Sequence, residues 1–276
     1  MNNPSQSGEN QGQETQAPAA RQGVAIPLPN FRPLVSYALI GLTLLVFLGQ
    51  EYGTYIVGND FLFNLGAMYG PLVTAGEYWR LITPVLLHIG EIHFAVNMYS
   101  LYVLGPGLER RYGHARFLAL YLVAGFAGNV LSYFFSPSLA SGQTQFISAG
   151  ASTAIFGLLA AEGILIFQNR KLLGQRSAAA IRNILVIAAI NLIIGFTTAA
   201  PQLANTAIPR IDNWGHIGGI TGGILFAWFA GPLWRVEGSY PSLSVVDRRE
   251  PLQIQLTAIV VAAIFAGIAF LRVMRG

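Results

Sequence analysis

Seven apolar stretches, each long enough to cross about 30 Å of hydrocarbon as a helix, fill the chain from residue 33 onward and leave little room for any other architecture. They span approximately residues 33–51, 90–107, 115–135, 150–168, 181–198, 214–234 and 252–272. In lipid the backbone must satisfy its own N–H and C=O groups, and runs of this length do so as helices. The expected fold class is therefore all-α, a polytopic membrane helix bundle. The charge count agrees: only 10% of the 276 residues are Asp, Glu, Lys or Arg, against about 25% in an average soluble domain. So little charge cannot cover the exterior of a soluble globule, which excludes soluble enzymes. The sequence pI of 9.5 comes from Lys and Arg spread thinly between apolar blocks. No basic patch forms, and no nucleic-acid partner is expected. With no cysteine in the chain, disulfide frameworks, thiolate catalysis and Cys-ligated zinc are excluded, and nothing in the sequence calls for a cofactor or metal.

Residues 1–30 are rich in Asn, Gln, Ser, Gly and Pro and read as a disordered tail without a removable signal peptide. A six-helix core over 31–235 is expected next, then a linker and a seventh transmembrane helix over 236–276. Basic residues set the orientation. With the N-terminus cytoplasmic, twelve of the sixteen Lys and Arg residues fall inside, and four (Arg80, Arg210, Arg272 and Arg275) fall outside. Arg272 and Arg275 oppose the charge bias, which makes the seventh helix the weakest element. The expected location is a multi-pass position in a bacterial cell membrane. The first outer connection, about 52–89, is apolar for a loop and carries Gly66, Gly70, Pro71, Gly76 and Pro84, so it should lie partly in the interface without a long helix.

Polar groups in hydrocarbon are expensive and usually face the bundle interior. His93 and Asn97 fall in the first turns of the second span, Ser152 at the start of the fourth and His216 at the start of the sixth. These three spans run in the same direction, so all four residues lie at one shallow depth on the outer side. Helix starts also leave N–H donors unpaired, which favours developing negative charge. A serine beside a histidine of ordinary pKa about 6.5 suits acyl transfer near neutral pH. His93 and Asn97, spaced i, i+4 on one face, can both donate to an oxyanion.

Each signal has a bland reading. Ser152 in Ser148-Ala149-Gly150-Ala151-Ser152 could be packing glue or a cap, and a lone His at a helix end is often a hydrogen-bonded structural residue. Gly215, Gly219 and Gly223, with Gly218 and Gly222, leave two bare ridges for close helix approach. Asp212 reads as the N-cap of the sixth span. Phe156, one turn after Ser152, could pack on the imidazole and fix its plane. Glu162 lies about 15 Å along the helix from Ser152, and packing or snorkelling is its default reading.

Taken in order, Trp79-Arg80, His93-x-x-x-Asn97, Glu109-Arg110-Arg111-Tyr112-Gly113, Gly150-Ala151-Ser152, Phe156-Gly157 and His216-x-x-Gly219-x-x-x-Gly223 resemble the rhomboid family of intramembrane serine proteases. The resemblance covers about residues 33–234. It implies Ser152 as nucleophile, His216 as base and leaving-group acid, and His93, Asn97 and the Ser152 amide as oxyanion donors. It makes Trp79 and Arg80 structural, transmembrane protein segments the substrates, and a seventh helix a known variation on a six-helix core. The family usually has Gly directly after the serine. Thr153 stands there in this chain, and a β-branched side chain predicts crowding of the substrate or lower activity. The rival readings are a non-catalytic rhomboid-like protein that binds membrane helices, and a transporter, which would need intramembrane charges and usually repeats.

Overall fold

The computed structural model describes residues 30–136, 147–174, 176–198 and 211–275. All of the expected tail except residue 30 lies outside the described residues. In chain order the helices are α1 (Leu34–Tyr52), the short α2 (Phe61–Gly66) and α3 (Gly70–Thr74), α4 (Glu91–Tyr112), α5 (His114–Phe135), α6 (Ser152–Gln168), the single turn α7 (Arg170–Leu173), α8 (Arg176–Thr198), α9 (Asn213–Ala230) and α10 (Pro251–Val273). A long helix stands at each of the seven apolar stretches. The expectation of an all-helical membrane bundle, six core helices plus one at the C-terminus, holds.

Local chemistry explains the helix ends. Gly113, at φ 78°, makes the tight turn between α4 and α5, a conformation that costs a residue with Cβ. Pro251 occupies the first position of α10, where its missing N–H costs nothing. The N-cap residue of α1, Pro33, offers no capping side chain. Glu109 fills that role from α4, its carboxylate accepting from the N–H groups of Val35 (2.8 Å) and Ser36 (2.7 Å) and from the Ser36 hydroxyl (2.7 Å). α4 itself runs on to Tyr112 and ends at Gly113, past the apolar stretch that ended near 107.

The centre of the bundle is α5, α6 and α9, with Phe117, Leu120, Tyr121, Leu158, Leu165 and Phe226 buried among them. Here α9 carries its two glycine ridges. A Cβ at Gly219 or Gly223 would run into the carbonyls of Thr153 and Gly157 on α6, and one at Gly218 or Gly222 into Ala127 on α5. Without side chains between them the backbones meet directly. Four helical stretches, Leu34–Val57, His114–Phe135, Ser177–Ile194 and Pro251–Val273, are long and apolar enough to cross a membrane by length and composition alone. The remaining long helices, α4, α6 and α9, are shorter or more polar, and they carry the site.

The region expected to be a linker, from 236, instead completes an antiparallel hairpin, β3 (Trp234–Glu237) with β4 (Ser244–Asp247). Asn169 orders its entry by accepting from the Trp234 N–H (2.8 Å), and Arg116 pairs with Asp247 at 2.7 Å. The seventh helix packs on α5 and α9. Arg272 donates to the carbonyl of Ser136 at the end of α5 (3.2 Å) and lies over the Tyr133 ring, so one of the two basic residues that oppose the charge bias has a local structural use. Glu162, read above as packing or snorkelling, forms an ion pair with Arg111 at 2.7 Å that joins α6 to α4.

Candidate active site

The loop between α1 and α4 frames the site. Arg80 is buried and pins this loop through three contacts, donating to Glu77 (2.7 Å) and to the carbonyls of Ala67 (2.7 Å) and Asn64 (2.8 Å). The Trp79 indole donates to the Leu65 carbonyl at 2.9 Å. Both residues do the structural work expected of them. The pinned loop presents β1 (Met68–Tyr69), which pairs antiparallel with β2 (Ile147–Ser148), Met68 opposite Ser148. This ribbon fixes the approach to α6, four residues before Ser152.

At the start of α6 the chain passes through Gly150 at φ 145°, a conformation open to glycine. A Cβ there would meet the His93 ring at 2.7 Å, and Ser152 Oγ lies 3.6 Å from the same point. Gly150 therefore lets His93 approach the serine turn. His216, in the first turn of α9, brings Nε2 to 3.0 Å from Ser152 Oγ. Phe156 stacks on the imidazole with centroids 4.2 Å apart and planes 24° apart. Among the described residues His216 Nδ1 has no hydrogen-bond partner, so no carboxylate stands behind the ring. Asn97 is buried one turn below His93, and one of its amide hydrogens goes to the His93 carbonyl at 2.8 Å.

Asp212 caps α9 as expected, accepting from the Gly215 N–H at 2.8 Å, and its second oxygen accepts from the Ser148 hydroxyl at 2.7 Å. Burial pushes this carboxyl above the usual carboxylate range, an effect that its hydrogen bonds oppose.

Thr153 does not lie where crowding of a substrate requires it. It is 3% exposed and points between α5 and α9, where a Cβ on Gly128 would lie 2.6 Å from its own Cβ and one on Gly215 3.0 Å from its Cγ2. Its bulk is taken up by two glycines on the neighbouring helices. The site face is left to Ser152.

His88 was missed. It is 2% exposed, 5.3 Å from the His93 ring, and its Nε2 accepts from the Ala151 N–H over a long 3.4 Å. Burial, and then the nearby His93, pull its pKa down to about 3, so the ring is neutral and can accept. Gln50 of α1 holds the His88 backbone on both sides, donating to its carbonyl (3.1 Å) and accepting from its N–H (3.0 Å). An ionisable residue inside the apolar run Leu86-Leu87-His88-Ile89 was a usable signal.

Fold and site together define a class: a membrane helix bundle that holds a serine and a histidine in hydrogen-bond contact at one end of its central helices. The Rhomboid domain profile matches residues 75–233, more than half of the chain, and the chain belongs to the rhomboid family. It is 39% identical over 207 residues to rhomboid protease GluP of Bacillus subtilis, covering 75% of this chain and 37% of that protein. It is 36% identical over 165 residues to RHOMBOID-like protein 5 of Arabidopsis thaliana, covering 60% and 48%. Against the putative rhomboid protease YdcA of Bacillus subtilis it is 31% identical over 199 residues, covering 71% and 87%. The chain thus spans less than half the length of the first two relatives and most of the third.

Proposed function

We propose that this chain is an intramembrane serine endopeptidase working through a Ser152–His216 dyad, with residues 31–235 as its catalytic unit. The observation that carries the reading is the 3.0 Å contact between His216 Nε2 and Ser152 Oγ in a member of a family whose relatives include proteases. Ser152 Oγ attacks the scissile carbonyl as His216 Nε2 takes its proton. His216 then gives that proton to the leaving amine, and water, deprotonated by the same nitrogen, releases the acyl group from Ser152. His93, Asn97 and the Ser152 N–H are the donors for the oxyanion. Phe156 replaces an acid in holding the ring plane.

The substrates on this reading are transmembrane protein segments. A helix hides its carbonyls in i to i−4 bonds, so segments weakened by Gly or Pro near the membrane surface should be preferred. The bias of basic residues supports a cytoplasmic N-terminus and cleavage near the outer face. The non-catalytic reading drew only on Thr153, whose side chain packs away from the serine. The test uses purified protein in micelles, a transmembrane substrate and a fluorophosphonate serine probe. Cleavage and labelling should vanish in Ser152→Ala, and cleavage in His216→Ala. Cleavage that persists in either variant rejects the dyad.

A further inference from the structure

We infer that Asp212 is a positioning residue for the dyad, its carboxylate clamping the segment that carries the nucleophile to the helix that carries the base. The inference rests on the dyad reading above. It starts from a symmetry of spacing: Ser148 lies four residues before Ser152, and Asp212 four residues before His216. One carboxylate joins the two segments. Oδ2 accepts from the Ser148 hydroxyl at 2.7 Å, and Oδ1 accepts from the Gly215 N–H at 2.8 Å, the residue directly before His216. The Asp212 carbonyl also accepts from the His216 N–H at 3.0 Å.

Ser148 is itself held in β2 against Met68 of the pinned loop, so the clamp has a fixed side. A helix cap alone needs one carboxylate oxygen. The second oxygen is spent on a different chain segment across 64 residues, in a partly buried setting. Neither bond touches the imidazole, since Nδ1 of His216 has no partner among the described residues. Asp212 therefore acts on the distance between Oγ and Nε2, and not on the basicity of the ring as a triad acid would.

The full chain in micelles provides the test, with Ser148→Ala, Asp212→Ala, Asp212→Asn and the double variant Ser148→Ala/Asp212→Ala. Ser148→Ala keeps the cap of α9, so it reads the clamp even where Asp212→Ala fails to fold. Loosening a reacting pair by about 1 Å can cost up to about a hundredfold in rate, so kcat in Ser148→Ala and Asp212→Ala should fall about ten- to a hundredfold. KM should stay near the parent value, and fluorophosphonate labelling of Ser152 should slow in parallel. The double variant should be no worse than Asp212→Ala, because the one bond that Ser148→Ala removes is already lost with the Asp212 carboxylate. Asparagine can accept from Gly215 and donate to Ser148 Oγ with bonds about half as strong, so Asp212→Asn should return to within about threefold of the parent. The inference is overturned by parent kcat in Ser148→Ala, by a lowered melting temperature with unchanged kcat, or by Asp212→Asn as slow as Asp212→Ala. Persistent cleavage in Ser152→Ala would instead reject the dyad itself, so the two failures are told apart.

Discussion

Replacing Gly128 by Ala tests how the bundle makes room for Thr153. A Cβ at Gly128 would lie 2.6 Å from the Thr153 Cβ, 2.9 Å from its Cγ2 and 2.6 Å from the Gly215 carbonyl oxygen. None of these atoms is the free end of a flexible side chain. Carbon atoms prefer a separation of about 3.5–4.0 Å, so α5 must shift by roughly 1 Å from α6 and α9. Overpacking of this kind costs about 1–3 kcal/mol, and the better helix propensity of Ala returns at most about 1 kcal/mol. The expected net loss is about 1–2 kcal/mol. In a Thr153→Gly background two of the three clashes disappear and only the Gly215 carbonyl remains, so the loss should fall by roughly half. That amounts to a coupling of about 0.5–1 kcal/mol, inside the range for residues in contact. Reversible unfolding in mixed micelles of the parent, both single variants and the double variant measures it. Equal losses in the two backgrounds, with coupling below about 0.3 kcal/mol, would refute the shared slot. The same packing predicts that Thr153→Gly does not raise kcat/KM, whereas a side chain that crowded the substrate would give a faster enzyme once removed.

Phe156→Ala removes the ring stacked on His216, worth about 0.5–1.5 kcal/mol, and kcat should fall about two- to tenfold; an unchanged kcat would separate Phe156 from the base. Arg80→Ala leaves Glu77 and the carbonyls of Asn64 and Ala67 without their donor. With Glu77 partly exposed the loss should sit near the low end for a broken buried pair, about 3 kcal/mol, and Arg80→Lys should recover less than half of it in thermal unfolding. A double-mutant cycle on Arg111 and Glu162, whose side chains are 25% and 15% exposed, should give about 1 kcal/mol or less and shrink at high salt.

The positions of the long helices were legible because crossing hydrocarbon demands a length of apolar sequence that little else produces. The candidate site was legible for a related reason: Ser152, His216, His93 and Asn97 are polar groups at the starts of apolar stretches, and the expected direction of each span puts them at one depth. What escaped depends on contacts between segments distant in sequence. Thr153 was expected to crowd the substrate because its neighbour in sequence is the serine, but its direction is set by Gly128 on α5 and Gly215 on α9. The hairpin at 234–247 was hidden because its order comes from Asn169 and Arg116, far upstream. Asp212 was legible as a cap, a local role, and not as the partner of Ser148.

On the proposed dyad, Ser152 is served by a base with no acid behind it among the described residues. In a Ser-His-Asp arrangement the carboxylate holds the ring and offsets the charge that forms on it. A carboxylate placed against His216 here would be a buried charge, and burial without a permanent partner is expensive. Asp212 sits four residues earlier instead, about 6 Å along the helix axis, where it accepts from the Ser148 hydroxyl and the Gly215 N–H. On that reading orientation is divided: Phe156 stacks on the ring, the bare ridges of α9 let it approach α6, and Asp212 joins the two segments. Each of these is a packing constraint, so the rate should respond to loosened packing around α6 and α9 more steeply than to charge placed elsewhere near the site.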